Sequence, residues 1–162
     1  MSEETTASPP LSPADQTTAR RQEIMAVIAE TPASALAKAF ESYPDHPSHE
    51  LVRGPETGLV MVRGRMGGTG GAFNLGEVTV TRCVVRLASG ETGSSYILGR
   101  HKQHALQAAI LDGLWQNPDH RQKVEDDILA PLENSRRQRQ EEIKAETAAT
   151  KVDFFTMVRG DD

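Results

Sequence analysis

The chain has 162 residues, 37% of them apolar and 25% charged, which suits one soluble domain with an appended tail. Its formal charge of −5 argues against a general nucleic-acid binder, which would present a basic domain. Aromatic residues are only 4%, so a core must rest on Ala, Val, Leu and Ile, and partner surfaces would help complete it.

Residues 1–13 are rich in Ser, Thr and Pro and read as a disordered extension, with a single α+β domain expected over 14–162. A helix should start between Pro13 and Asp15 and bury Ile24, Val27 and Ile28, which recur at helical spacing. Thr31 and Pro32 read as the cap and first turn of a second helix, with Leu36, Ala39 and Phe40 on one face. Tyr43 and Pro44 should end it.

After Glu50 the pattern turns to β. Short runs at 51–53, 59–63 and 77–88 are rich in β-branched residues and are separated by Gly and Pro. In the last run, Thr79, Thr81, Cys83, Val85 and Leu87 share one face, and Val78, Val80, Arg82, Val84 and Arg86 share the other. Ser89 and Gly90 signal a turn, and GSSYILG returns the chain as another strand. The expectation is an antiparallel meander over about 50–99, flanked by N-terminal and C-terminal helices. A helix then follows in HKQHALQAAILDGLWQN, with Leu106, Ala109, Ile110 and Leu114 as its buried stripe. Asn117 and Pro118 break it, and a second, highly charged helical run is expected to be interrupted or kinked at Pro131. The last segment, KVDFFTMVRGDD, is unusually apolar for a terminus. Phe154, Phe155, Met157, Val158 and Arg159 are therefore expected to dock, in this chain or on another subunit.

The stretch GRMGGTGGAFNLGE, residues 64–77, holds six of the 13 glycines. It has no GK[ST], and no G-x-G-x-x-G at a strand-to-helix junction, so neither common nucleotide loop is present. Lying between two strands, it has no helix N-terminus to offer a phosphate. Two readings stay open: a mobile hairpin loop, or a loop whose backbone N–H groups contact an anion. Arg63, Arg65, Gly67, Gly68, Thr69 and Gly70 are the candidates for anion, ligand or partner contact there. The segment from Glu50 to His104 carries seven Lys/Arg against four Glu and no Asp, +3, so the remainder carries −8. Arg82 and Arg86, on one strand face about 13 Å apart, could therefore meet phosphate. They could equally pair with Glu56 or Glu77. Arg100 belongs to the same basic stretch, and His104 could make a hydrogen bond or an anion contact at the start of its helix, or be a plain surface or packing histidine.

His101 and His104 lack a third ligand nearby and H-E-x-x-H is absent, so no metal site is expected. Cys83, the only cysteine, reads as a buried structural thiol. No nucleophile elbow or acid/base carboxylate pair appears, so catalytic residues stay unassigned and the chain does not read as a self-sufficient enzyme. The N-terminus lacks a basic, apolar signal region, and no apolar run approaches the ~18 residues of a membrane span. A cytoplasmic protein without membrane contact is expected.

Three segments, ETGLVMVRGRMGGTGGAFNLGEVTVTRCVVRL, YILGRHKQHALQAAILDGL and KVDFFTMVRGD, together resemble one family in order and spacing. It is the PhnG family, the G subunit of the bacterial carbon–phosphorus lyase system. His101 departs from the acidic residue expected there. The resemblance implies a subunit in phosphonate utilisation, assembled with H, I and J subunits. With the H, I and L partners it would support attack of an alkylphosphonate on the anomeric carbon of ATP. Adenine then leaves, giving alpha-D-ribose 1-methylphosphonate 5-triphosphate when the phosphonate is methylphosphonate. ATP would be a substrate of the complex, with no cofactor bound by this chain. Within that family frame the chain could contribute to the transferase, serve purely as a scaffold, or be an independent phosphate- or nucleotide-binding module.

Overall fold

A computed structural model describes residues 12–67 and 69–149. The architecture is α+β, as expected: a three-stranded antiparallel sheet in the order β1–β2–β3, with helices before and after it in sequence. The apolar terminal residues Phe154, Phe155, Met157, Val158 and Arg159, like residues 1–11, lie outside the described residues.

Helix α1, Pro13–Glu30, starts where proline suits a first turn, and the Ser12 hydroxyl accepts from the Asp15 N–H. It buries Ile24, Val27 and Ile28. Thr31 departs from the sequence reading. Its hydroxyl donates back to the Val27 carbonyl, 2.7 Å away, so it closes α1 and does not cap α2. Helix α2, Ala33–Ser42, instead begins after Pro32. Tyr43 ends it and is itself buried.

The strands are longer and fewer than the sequence pattern suggests. The two runs expected at 51–53 and 59–63 are one strand, β1 at His49–Arg65. Its ladder absorbs Gly54 and Pro55 in register shifts between Leu51 and Arg53 and between Arg53 and Glu56. Strand β2 spans Ala72–Leu87, so the glycine stretch is largely strand. Arg65 pairs with Ala72, and only the six residues 66–71 turn the chain. A third shift, between Val62 and Arg63, leaves Leu75 without a partner in the ladder. Gly67, with φ +60, supplies the left-handed step that closes the turn. Strand β3, Thr92–Leu98, pairs with β2 only from Val80 to Arg86.

Helix α3, Lys102–Gln116, is the centre of the body. A one-sided stripe was expected, but the helix is buried nearly all round, from His104 to Trp115. The sheet covers one side while α1, α2 and α4 (Pro118–Val124) cover the other. Leu106, expected in the stripe, is only half-buried. The sheet comes very close to α3. A Cβ on Gly93 would lie 1.9 Å from the Ala109 carbonyl oxygen and 2.5 Å from the Gly113 nitrogen. Glycine at 93 is what lets backbone meet backbone there.

Of the face expected to share one side of β2, Thr81, Cys83, Val85 and Leu87 are buried and Thr79 is half-buried, while Val80 of the opposite face is buried as well. Helix α5, Ala130–Ala149, follows a π-turn at Glu125–Leu129. The sequence places the interruption at Pro131, but the irregular turn precedes it. In that turn the Ala130 N–H reaches the Glu125 carbonyl. The extra residue widens the helix where the Pro131 ring would otherwise press on the carbonyl four residues back. It also turns both Ile128 and Leu129 into the core.

Candidate functional site

The chemistry-bearing side chains of the body are committed to structure. Asp112, 2% exposed, accepts from Arg21 Nε and Nη2 at 2.8 Å each and from the Ser94 N–H at 2.8 Å. One carboxylate thereby ties α1, α3 and the edge strand β3 together. Glu125 accepts from Arg20 and, at 2.7 Å, from the Trp115 indole N–H. Burial pushes its carboxyl up, but these donors outweigh that and hold it below the ordinary range. The Arg121 guanidinium lies 4.6 Å from the Trp115 ring centroid and donates to the Trp115 carbonyl. Burial pushes the Cys83 thiol up, so it stays protonated, and its Sγ lies 3.5 Å from the Arg53 carbonyl oxygen. Among the described residues no buried side-chain polar atom lacks a partner, and no group of three or more His, Cys, Asp or Glu is placed to hold a metal. Nor is any helix among them long and apolar enough to cross a membrane.

The basic residues singled out from the sequence do not converge. Arg82 Nε donates to Glu56 at 2.7 Å, and Arg86 Nη1 to Glu50 at 3.0 Å. Both arginines thus make cross-strand ion pairs with β1, one with the Glu56 foreseen and one with Glu50. Arg100 is exposed just after β3, where the Gly99 N–H reaches the Thr79 carbonyl. His104 needs correction as an anion contact: it is 4% exposed and its Nε2 lies 2.9 Å from the Ile28 carbonyl oxygen. Packing of α1 against α3 has buried it. Arg63 and Arg65 are exposed at the far end of β1 and have no ion-pair partner among the described residues. Gly67, Thr69 and Gly70 form the turn beyond them, with the Gly70 N–H on the Met66 carbonyl at 2.9 Å; Gly68 lies outside the described residues.

That far end is the unusual feature. Strand β3 stops pairing at Val80, so residues 59–65 and 72–79 continue as a two-stranded arm. Seven steps from Thr79 to Ala72 make it about 24 Å long. Leu59, Met61 and Leu75 are more than half exposed, and Phe73 is 41% exposed. Register puts Leu59 and Met61 on the face that carries Thr79 and Thr81 toward the helices, but the helices end short of them. On the other face Phe73 and Leu75 fold over Gly64, where an added Cβ would lie 3.4 Å and 3.6 Å from them. This second face runs on into the body through half-buried Val78 and buried Val80 to Leu98 and Tyr96. Tyr96 and Leu98 are 53% and 69% exposed.

In the sequence the glycines of this stretch mask its apolar residues. The signal was present: LVMVRGR and AFNLGEV are apolar on both strand faces, a pattern that ordinarily means cover on both sides. An uncovered strand pair of this kind is only marginally stable in water by itself.

A family model described as phosphonate metabolism protein PhnG matches residues 19–160. A curated relative from Rhizobium meliloti (strain 1021), alpha-D-ribose 1-methylphosphonate 5-triphosphate synthase subunit PhnG, is 48% identical over 151 residues. The similarity covers 91% of this chain and 94% of that relative.

Proposed function

The chain belongs to the PhnG family, and from that premise we propose that it is a non-autonomous subunit of a synthase making alpha-D-ribose 1-methylphosphonate 5-triphosphate. The observation that carries this reading is 48% identity, along nearly the whole of both chains, to a relative bearing that subunit's name. The interior supports it from the other side, because the buried carboxylates, thiol and histidine described above are all engaged in holding the fold.

In the reaction, a phosphonate oxygen of methylphosphonate attacks the anomeric carbon of ATP. The ribose–adenine bond breaks, adenine departs, and the triphosphate stays on the ribose. The chain contributes no cofactor; ATP and alkylphosphonate are bound by the complex, in the cytoplasm, with the H, I, J and L subunits as partners. Arg63, Arg65 and the turn Gly67–Gly70 contact a partner or a substrate anion. Phe154, Phe155, Met157, Val158 and Arg159 supply further interface. An architectural role is favoured over substrate contact by the arm, whose apolar surface lacks cover among the described residues.

Reconstitution tests this. The other subunits, supplied with ATP and methylphosphonate, should form the ribose 1-methylphosphonate 5-triphosphate, followed by phosphorus NMR, only when this chain is added back. Full formation of that product in its absence would refute the reading. A complex carrying Arg65→Glu that assembles normally yet forms none of the product would move the chain from scaffold to substrate contact.

A further inference from the structure

The arm can be covered in only a few ways, and its two faces decide among them. Leu59 and Met61 stand on one face, Phe73 and Leu75 on the other, with Tyr96 and Leu98 extending the second into the body. Laying one side of the ribbon on a flat surface would leave the other in water. At roughly 200 Å² for a fully exposed residue of this size, these six residues present on the order of 700 Å² at their observed exposures. That is close to the ~800 Å² each partner contributes to a standard interface.

We infer that the β1–β2 arm docks by insertion into an apolar cleft, rimmed by carboxylates, on a different subunit of the synthase. The inference rests on the subunit reading above and names the element that makes the contact. Charge supplies the rim: Arg63 and Arg65 against the single carboxylate Glu77 leave the arm net positive, and among the described residues none of the three is ion-paired. A burying partner must neutralise those guanidiniums, since a desolvated unpaired charge is costly. Among the described residues, the hollows of a second copy do not match a carboxylate rim: those of about 390 and 470 Å³ carry more Arg than Glu (Arg20 and Arg121 with Glu125; Arg20, Arg136 and Arg137 with Glu23 and Glu133), and one of about 290 Å³ balances Glu50 with Arg86. Both strands of the arm are continuous with strands of the body, which carry it out from the sheet.

The test compares the full-length chain with a Met61→Asp/Leu75→Asp variant, each co-expressed with the other synthase subunits and captured through a tag on one of them. Both substitutions fall on exposed positions, and circular dichroism should show an unchanged fold. The wild type should co-purify, and the variant should bind at least tenfold more weakly. Equal retention of both would overturn the arm's role while leaving the subunit reading intact. A wild type that fails to co-purify would refute the subunit reading itself. Sedimentation of the chain alone should show a monomer; a dimer abolished by the variant would overturn the inference in favour of a second copy. Amide exchange in residues 59–79 should be equally fast in the full chain and in a chain ending at Ala149, and slow only in the complex. Faster exchange after truncation would assign the cover to the chain's own terminal segment and overturn the inference.

Discussion

Asp112 offers the sharpest test of what holds the body together. Its carboxylate is 2% exposed and takes three donors, two from Arg21 and one from the backbone of Ser94. Arg21→Ala strands a buried charge with only one donor remaining, and removal of one partner from a buried pair costs about 3–5 kcal/mol. The Arg21 side chain is itself 35% exposed, so the lower end of that range applies, about 3 kcal/mol. Asp112→Ala frees Arg21 to reach water but orphans the Ser94 N–H, worth about 1–3 kcal/mol, besides losing the charge-assisted bonds. The double variant should cost no more than the worse single one, giving a coupling of about 2 kcal/mol or more. Urea unfolding followed by circular dichroism measures all three, and the melting temperature of each single variant should fall by about 10 °C. Additive effects, or losses under about 1 kcal/mol in either single variant, would refute the claim that this carboxylate joins α1, α3 and β3.

Gly93→Ala places a methyl 1.9 Å from the Ala109 carbonyl oxygen and should destabilise by about 3 kcal/mol or prevent folding. Gly58→Ala, with open space around it, should change the melting temperature little. Glu125 has a carboxyl held below its ordinary range, so its stabilising contribution is present above the unfolded-state value and lost as pH falls through the depressed one. Glu125→Gln should therefore lower stability at neutral pH and flatten the acid limb of the stability–pH curve; an unchanged acid limb would contradict the assignment. Cys83 is fully buried with its thiol pushed up, so it should resist a thiol reagent such as dithionitrobenzoate in the native chain and react after unfolding in urea. Rapid native labelling would show that the sheet opens.

The parts of the fold legible in the sequence are those where one local preference had no competitor. Pro13 marks the start of α1, and the Thr81–Cys83–Val85–Leu87 alternation marks the core face of β2. Where two preferences compete, local reading fails. Gly54 and Pro55 interrupt a strand pattern, yet the pairing of β1 with β2 carries through them by shifting register. Thr31 satisfies the pattern of a cap for the helix after it, but its hydroxyl finds the closer Val27 carbonyl of the helix before. The basic stretch was visible as composition, but its dispersal was not. Arg82 and Arg86 face β1 glutamates whose register is fixed only by long-range pairing, and His104 is buried by α1, 76 residues away in sequence.

The contrast between body and arm also bears on how an otherwise ordinary domain could serve in an assembly. Among the described residues the buried side-chain polar atoms of the body all have partners, so substitutions there act first on stability. The arm, by contrast, consists of two strands whose outer halves have no third strand beside them among the described residues and whose Leu59, Met61, Phe73 and Leu75 are exposed. A free peptide of that sequence would lose most of its binding energy to ordering the backbone, at about 1–2 kcal/mol per residue. Here the same strands are anchored at their inner ends, through Thr81, Cys83 and Val85, in the core beneath α3. Much of the ordering cost is therefore met when the domain folds, and less remains to be met on association. It follows that weakening the anchor without unfolding the body, as by Cys83→Ala, should weaken assembly more than it lowers the melting temperature would suggest. Parallel losses in the two would mean that the arm is ordered independently of the core.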